Sequence, residues 1–444
     1  MIVKSTDERA QVKIVGIEEL MPKKHLLRML DKAYDWNSVY EMTEKYYCED
    51  NGRPCVDPVI LLKMALIQHM YGYSSLRKTV QKIDENIAYR WFLHYNLDTE
   101  IPHFATVSYA FATRFPSDLF REFFGSVLSL AVSRGLVDAK TVFTDSTHVK
   151  ASANKKKNIK LQVEEVARSY DEKLREEINR DRVAHGKKPL KEREKQAKTK
   201  EITVSTTDPE CGMFHKGEHE RQFAYTVHTT CDENNIVLDY EVTPANVHDS
   251  RVFNEVYEPV TEAFSEIEAV ALDAGYKTPA ICKEIIDGGK TPVMPYTCPK
   301  TKKGLFGKND FIYHGGFDCI VCPNKEALTY STTNRKGYRE YKSNPKICQN
   351  CPLRSKCTSS SNMTKVFTRH IWQDYIEQAE DFRRTPEGRA AYSKRKQTIE
   401  RVFAEAKENH GMRYTHIRGR QRVENWVALK YAAMNLKKIA MRAA

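Results

Sequence analysis

The chain has 444 residues, of which 41% are apolar and 29% charged, and its formal net charge is +12. This length predicts two or three domains of about 150 residues. No apolar run reaches the roughly 18 residues of a membrane span and the N-terminus does not resemble a signal peptide, so we expect a cytoplasmic, nucleoid-associated protein that binds a polyanion rather than a membrane.

The first 135 residues have the pattern of short helices. Asp57 before Pro58 predicts the start of a helix over the apolar run Val59–Met70, because Asp is a favoured N-cap and Pro suits the first helical position. After a glycine-containing break, two more short helices are predicted over Ser75–Ile83 and Asn86–His94. This outline is that of a helix-turn-helix, although any helical bundle has such turns. We therefore predict a helical DNA-binding domain over residues 1–135.

From about residue 140 the pattern becomes one of strands alternating with helices. Strands are predicted at Thr141–Phe143, Gln222–Thr230, Ile236–Val242, Ile267–Leu272 and Pro292–Pro295. Helices are predicted after Thr278-Pro279 and over Thr398–Asn409. This alternation indicates an α/β domain over residues 136–300 and 365–444.

Two inserts interrupt that domain. Residues 151–205 are predicted to form a charged helical insert; residues 151–200 alone contain 16 Lys and Arg against 9 Asp and Glu, a net charge of +7. The insert is interpreted equally well as a solvated helical pair or as an element that contacts phosphates. Residues 301–364 form the second insert, which contains clustered cysteines.

Three acidic residues occupy positions where a sheet and a helix could bring them together. Asp145 and Asp273 each end a short apolar strand, which is the edge at which α/β sheets bind ligands. Glu400 lies on a basic C-terminal helix, on one face with Lys396 and Lys407. Carboxylates gathered in this way need cations, and two Mg²⁺ ions would meet that need and promote attack on a phosphodiester. Taken singly, each Asp is also typical of a turn or cap, and Glu400 of a surface ion pair.

The residues around these acids resemble the motifs of bacterial insertion-sequence transposases of the DDE type. The block Thr144–Asn154 resembles the first-Asp motif of that family, and Ala271–Tyr276 resembles the second. The C-terminal signature, a Tyr and an Arg followed by the catalytic Glu and a Lys seven residues on, is matched by Tyr392, Arg395, Glu400 and Lys407. Further family-like blocks are Asn51–Pro54, Pro58–Met70, Arg90–Phe92 and Asn246–Ser250.

The resemblance implies an α/β fold with a ribonuclease-H-like catalytic core. In that core Asp145, Asp273 and Glu400 would hold Mg²⁺ or Mn²⁺, cut double-stranded DNA at transposon ends and join the ends to target DNA without a covalent protein intermediate. Residues that would contact DNA are Lys396, Lys407, Arg395, Tyr392 and Lys277. Because two ends must be brought together, a homodimer in a synaptic complex is expected.

Two residues near the motifs are interpreted differently. Asp249 is predicted to cap a helix over Arg251–Phe264 and is left out of the catalytic set. Tyr276 either contacts DNA or packs in the protein interior.

Five of the eleven cysteines cluster in the second insert. Two Cys-x-x-Cys pairs separated by a loop are typical of a structural zinc site with four thiolates. Five cysteines for four places leave the set ambiguous. Similar transposases have a Cys-Pro block and a later Cys-x-x-Cys-Pro-Leu, so the resemblance favours four of the five and holds Cys319 in reserve. The favoured ligands are Cys322, Cys348, Cys351 and Cys357; the alternative is a metal-free insert with reduced thiols.

Two other functions share the expected DNA substrate. A non-catalytic, transposase-derived DNA-binding regulator would use the same helices and basic surface without the acids. A tyrosine recombinase is loosely suggested by His410 and Arg413 followed by Tyr431, but it gives no role to Asp145 or Asp273.

Overall fold

The structure is a computed structural model. It describes residues 12, 14–48, 55–164, 170–191, 199–216, 220–299 and 301–442. The family-like block Asn51–Pro54 lies outside these residues. Within them, none of the helices has both the length and the apolar composition needed to cross a membrane.

The N-terminal region is helical, as predicted. Its helices are α1 (Ile17–Leu20), α2 (Leu26–Ala33), α3 (Asn37–Thr43), α4 (Pro58–Met70), α5 (Leu76–Glu85), α6 (Ile87–Phe92), α7 (Phe104–Tyr109) and α8 (Ser117–Ser133). Asp57 caps α4 by accepting a hydrogen bond from the backbone of Val59. Gly72, in the turn before α5, has a φ of 64° and packs so closely on Asn409 that a Cβ would lie 2.9 Å from its carbonyl oxygen. The predicted helix-turn-helix turn is therefore packed against the C-terminal half of the chain.

The second half of the chain contains the strands. They are β1 (Thr141–Lys150), β2 (Asn158–Glu164), β3 (Thr199–Ser205), β4 (Gly212–Lys216), β5 (Glu220–Cys231), β6 (Val237–Pro244), β7 (Ala269–Leu272), β8 (Thr291–Val293), β9 (Ile312–His314), β10 (Cys319–Val321), β11 (Ala327–Thr333), β12 (Tyr338–Lys342) and β13 (Val366–His370). The accompanying helices are α9 (Asp171–Ala184), α10 (Phe253–Ala263), α11 (Pro279–Asp287), α12 (Pro345–Gln349), α13 (Arg354–Cys357), α14 (Gln373–Arg384), α15 (Pro386–Ser393), α16 (Ile399–Glu408) and α17 (Arg420–Arg442). The fold is mixed α/β, with helices first and a sheet-rich region after them.

The main sheet has the strand order β4-β5-β1-β7-β8. Strand β5 is antiparallel to β1, and β1 is parallel to β7, which is parallel to β8. Strands β4 and β6 share the outer edge of β5, since β4 pairs with its first half and β6 with its second half. The strands predicted at Gln222–Thr230 and Ile236–Val242 are present as the antiparallel pair β5 and β6. Helix α11 follows Thr278 as predicted, and Thr278 is its N-cap.

The long helix α17 joins the two halves of the chain. It packs against α2, α4 and α8 of the N-terminal region and against β6 of the main sheet. Its central residues are buried in the same hydrophobic core as both regions. The N-terminal helices, α17 and the main sheet therefore share one hydrophobic core.

The second sheet is antiparallel throughout, in the order β13-β12-β11-β10-β9. It lies within and just after the cysteine-containing segment. Its own core is small, with four buried residues at its centre: Phe311, Ile320, Leu328 and Tyr341.

Two expectations differ from the structure. Strand β1 does not end before Asp145 but continues to Lys150, because β5 pairs with it along that whole length. The charged segment contains the antiparallel pair β2 and β3 in addition to helix α9, where only helices were predicted. Apolar Ile159 and Leu161 alternate with polar residues there, and this period of two is typical of a strand. Helix α9 is also only partly solvated, because Leu174 and Ile178 are buried against Trp372.

Candidate active site

The main sheet brings Asp145 and Asp273 to the same level of two neighbouring strands. The last parallel pair of β1 and β7 joins Thr144 to Leu272, and each aspartate is the next residue along its chain. Asp273 begins a short 3-10 turn over Ala274–Tyr276, whereas Asp145 remains in β1 opposite Thr229 of β5. Two acids that lie 128 positions apart in the sequence thus become neighbours through strand register.

A single guanidinium lies between the two aspartates. Arg395 donates from Nη2 to Oδ2 of Asp145 at 2.6 Å and from Nη1 to Oδ1 of Asp273 at 3.3 Å. Nη1 also lies 3.2 Å from the hydroxyl of Tyr392. Only 4% of Arg395 is exposed, so its charge is removed from water and balanced by the carboxylates. Burial alone would lower the pKa of Arg395, but Asp145, Tyr392 and Asp273 outweigh it and the pKa is raised.

Asp145 lies in a site that disfavours its charge. Burial, reinforced by the neighbouring Asp273 and Asp249, raises the pKa of Asp145 to about 6. Arg395 and the backbone N–H of Ser146, which donates to Oδ1 at 2.8 Å, oppose this rise. An ionised Asp145 therefore depends on positive charge or hydrogen-bond donors beside it.

Asp249 is a third acid at this site, and the sequence interpretation missed it. It begins a 3-10 turn capped by His248, while helix α10 starts later with Val252 at its N-cap, so the predicted capping role is wrong. Burial raises the pKa of Asp249, and the charge of Asp273 adds to the rise. Gly275 gives it room, since a Cβ at that position would lie 2.6 Å from Oδ2 of Asp249. The family-like block Asn246–Ser250 was the available signal.

A buried histidine and tyrosine lie beneath these acids. Nδ1 of His228 lies 2.8 Å from the Tyr276 hydroxyl, and Nε2 lies 3.0 Å from the Thr243 hydroxyl. Burial, and then the nearby His148, lower the pKa of His228 to about 3, so its imidazole is neutral. Tyr276 is fully buried, so it packs in the interior instead of contacting DNA. Their contact ties the turn after Asp273 to strand β5.

The residues of the C-terminal signature are only partly gathered at the site. Tyr392 and Arg395 lie at the aspartates, whereas Glu400 is exposed in the first turn of α16. Helix α16 begins at Ile399 because Thr398 has a non-helical backbone, so Lys396 precedes the helix in a 3-10 turn and does not share its face with Glu400. Lys407 lies near the end of α16 and is partly buried.

Lys277 is held inside the protein. Its Nζ donates to Glu380 of α14 at 2.8 Å and to the carbonyl of Pro295 at 3.1 Å, and its side chain is 7% exposed. In this structure Lys277 therefore ties the turn after β7 to α14, away from solvent.

Four of the five clustered cysteines line one cavity in the second sheet. The cavity measures about 30 Å³, which is room for about one water-sized sphere. Cys348 donates from its thiol to the Ser343 hydroxyl at 3.1 Å. Burial raises the pKa of the Cys357 thiol, and the other three thiols are near enough to raise it further. The four are Cys322, Cys348, Cys351 and Cys357; Cys319 of β10 does not line this cavity.

Neither set of side chains is drawn together as tightly as metal ligands are. Across the described ranges, no three His, Cys, Asp or Glu side chains form a group that could hold a metal ion as they stand. At the aspartates the space is taken by the Arg395 guanidinium. At the cysteines the thiols surround a cavity.

Tyr431 has none of the access that a recombinase nucleophile needs. It is fully buried in α17, and its hydroxyl lies 2.7 Å from that of Thr229. A tyrosine that attacks a phosphodiester must reach it, so this geometry argues against the tyrosine recombinase.

Comparison with known protein families agrees with the motifs. The family described as "Transposase DDE domain" matches residues 321–440, and the "Transposase domain (DUF772)" matches residues 15–112. No curated protein and no solved structure matches the chain. Both matched families are transposase domains. Together the two matches indicate a DDE transposase of the insertion-sequence kind. The first match includes Glu400 and the four cavity cysteines, and it begins after Asp145 and Asp273.

Proposed function

We propose that the protein binds transposon ends, cleaves the DNA with divalent metal held by Asp145, Asp273 and Glu400, and joins the ends to target DNA. The observation that supports this best is the pair of carboxylates at one level of β1 and β7 with a cation between them. Because the sheet fixes the backbone of both acids, this pair would be in place before any ligand binds.

The topology of the main sheet supports a ribonuclease-H-like core for this activity. Strands β6, β5 and β1 form an antiparallel run, which β7 and β8 continue as parallel strands. The two aspartates lie where the antiparallel part meets the parallel part. Ligands of open α/β sheets bind at such a change in direction.

The residues fit a divalent cation. Carboxylate oxygens are the hard donors that Mg²⁺ and Mn²⁺ prefer, and the site already accommodates positive charge. When bound, the metal would activate a water or a 3′-hydroxyl and stabilise the leaving oxygen. The Ser146 N–H fixes one oxygen of Asp145, which directs the other toward the group shared with Asp273.

Glu400 would supply the third carboxylate by turning toward the aspartates. It lies five residues after Arg395, on a helix that packs against β1 and β5, and its side chain is exposed and thus unconstrained by packing. Lys396 and Lys407 would contact DNA phosphates on either side of it, and a homodimer would pair the two ends. Many such phosphate contacts would make DNA affinity fall steeply with salt.

We further propose that the four cavity cysteines hold one structural zinc ion. Four thiolates around a single cavity are the donor set of a closed structural zinc site. Lys365, whose charge lowers the pKa of Cys357 against the effect of burial, would favour the thiolate form.

The catalytic proposal is tested by nicking of a supercoiled plasmid that contains the element's own ends. With Mg²⁺ or Mn²⁺ the wild type should nick and join DNA, and EDTA should stop it. Asp145→Asn, Asp273→Asn and Glu400→Gln should each lose about a thousandfold in rate, because several kcal/mol of charge stabilisation would be lost. Glu408→Gln, an exposed acid on the same helix, is the matched control and should cleave normally.

The main alternative is a non-catalytic DNA-binding regulator, and the exposed position of Glu400 is the observation that favours it. DNA binding without nicking under every metal condition would establish that alternative. A covalent protein–DNA adduct would instead support the tyrosine recombinase.

A further inference from the structure

We propose that Arg395 is a built-in counter-cation of the metal site, which lowers the metal affinity of the free protein and leaves the aspartates when metal binds. This inference rests on the proposed metal-dependent function, because it concerns how the same site is regulated. It assigns to Arg395 a role toward the carboxylates in addition to any contact with DNA.

The geometry makes Arg395 a direct competitor. Each terminal nitrogen of the guanidinium faces a different aspartate, at 2.6 Å and 3.3 Å, so one side chain links the two acids. Oδ1 of Asp145 accepts the Ser146 N–H, and Oδ2, the oxygen that the backbone does not hold, accepts from Arg395. A planar guanidinium suits this bridging arrangement better than an ammonium does.

The surroundings of Arg395 also allow it to leave. It lies in a 3-10 turn between α15 and α16, and not within either helix. Its buried Nε makes no hydrogen bond within the described structure, so the side chain is anchored only through its terminal nitrogens. Tyr392 contacts the guanidinium as well, with its ring centroid 5.4 Å from the guanidinium carbon and its hydroxyl beside Nη1, so Arg395 would keep a neighbour after leaving the aspartates. Asp273, whose side chain is 48% exposed, opens the site to solvent on one side.

The consequence is a penalty on metal binding that Arg395 alone imposes. With Arg395 in place, the negative charge of the carboxylates is partly neutralised, and a metal ion must replace two charge-assisted hydrogen bonds. Without it, two neighbouring carboxylates repel each other and attract a cation more strongly. Removing the guanidinium should therefore tighten metal binding by at least about tenfold, because each charge-assisted bond is among the stronger hydrogen bonds in proteins.

The test is a titration of the full-length, DNA-free protein with Mn²⁺, in which free Mn²⁺ is measured by its paramagnetic resonance signal. Arg395→Met keeps the length of the side chain and removes its charge. Arg401→Met removes the same charge from an exposed position on α16 and is the matched control. Asp145→Asn removes a proposed ligand. The expected order of affinity is Arg395→Met above wild type and Arg401→Met, with Asp145→Asn weakest.

The outcomes separate this inference from the proposed function. If Asp145→Asn weakens Mn²⁺ binding but Arg395→Met leaves it unchanged or weaker, the counter-cation role is wrong and the metal site stands. If Asp145→Asn binds Mn²⁺ like the wild type, the aspartates are not the metal site and both proposals fail.

A second variant guards against misfolding of Arg395→Met. Arg395→Lys retains one charge but cannot bridge both acids, so it should bind Mn²⁺ with intermediate affinity. Mn²⁺ should also raise the melting temperature of Arg395→Lys more than that of the wild type. An equal rise in both proteins would overturn the inference.

Discussion

The aspartate site and the cysteine cavity differ in the partner that the protein itself supplies for their side chains. The aspartates have a protein cation between them, whereas the thiols line a cavity. The aspartates come from distant parts of the chain, are placed by the main sheet, and share the single positive charge of Arg395. The cysteines come from a short stretch beside a small core, and thiols are weak hydrogen-bonding groups that cannot replace one. From this difference we expect the acidic site to fold without metal and the second sheet to depend on the zinc ion proposed for its cysteines.

The largest expected effect is on the second sheet. We predict that Cys348→Ser combined with Cys351→Ser releases about one zinc per chain and unfolds residues 301–364, because a structural zinc ion contributes roughly 10 kcal/mol or more of apparent binding free energy. Hydrogen exchange should show lost protection in β9–β12 and unchanged protection in the main sheet. Cys298→Ser, an exposed cysteine outside the cavity, is the control. Full protection of the second sheet in the double variant would mean that this sheet, like the main sheet, is stable without metal.

The second-largest expected effect is that of removing Asp249, the third acid near the two aspartates. We predict that Asp249→Asn slows metal-dependent nicking by about tenfold to a hundredfold, because a carboxylate beside Asp145 and Asp273 contributes roughly 1–3 kcal/mol to the attraction of a cation. The protein should remain as stable as the wild type, since burial raises the pKa of Asp249 and so disfavours its charge. Asp287→Asn, an exposed acid on α11, is the control. Nicking at the wild-type rate would leave Asp249 as a purely structural residue.

Local signals in the sequence predicted several of the elements that position the site. The caps Asp57 and Thr278 act on backbone groups two and three residues away, and the turn between β5 and β6 joins adjacent strands, so each can be recognised in a short window. The length of β1 could not be recognised in this way. It depends on pairing with β5, which lies more than seventy residues further along the chain.

The candidate site also combines features that short sequence windows reveal with features that only long-range contacts create. The motifs selected Asp145 and Asp273, and the register of β1 and β7 makes these two residues neighbours. Asp249 was assigned to a local cap, since nothing in its neighbours reveals that Gly275 leaves space for it. The contact of Arg395 with Asp145 spans 250 positions and exists only once the sheet and α15 are assembled.

A smaller effect is expected on DNA affinity, for which one lysine from each region can be compared. Lys396→Ala should weaken DNA binding about threefold to tenfold and reduce the slope of log affinity against log salt by about one, because one phosphate contact is lost. Lys346→Ala, an exposed lysine on α12 beside the cysteine cavity, should have less effect. Fluorescence anisotropy at several salt concentrations measures both. Equal losses from the two lysines would extend the DNA surface over the second sheet, and a flat salt response would contradict phosphate contacts altogether.

The smallest effect is expected from replacing Cys319, the fifth clustered cysteine, and it tests which cysteines bind the proposed zinc ion. Cys319 lies in β10 next to the buried Ile320, and successive strand residues point to opposite faces, so its thiol is directed away from the small core. It does not line the cavity formed by the other four cysteines. We therefore predict that Cys319→Ser retains about one zinc per chain and changes the free energy of unfolding by less than about 0.5 kcal/mol, as for most surface substitutions. A dye assay for released zinc and a denaturant titration measure these quantities. Loss of zinc from this variant would mean that Cys319 replaces one of the cavity cysteines, and that the strand must turn over when the ion binds.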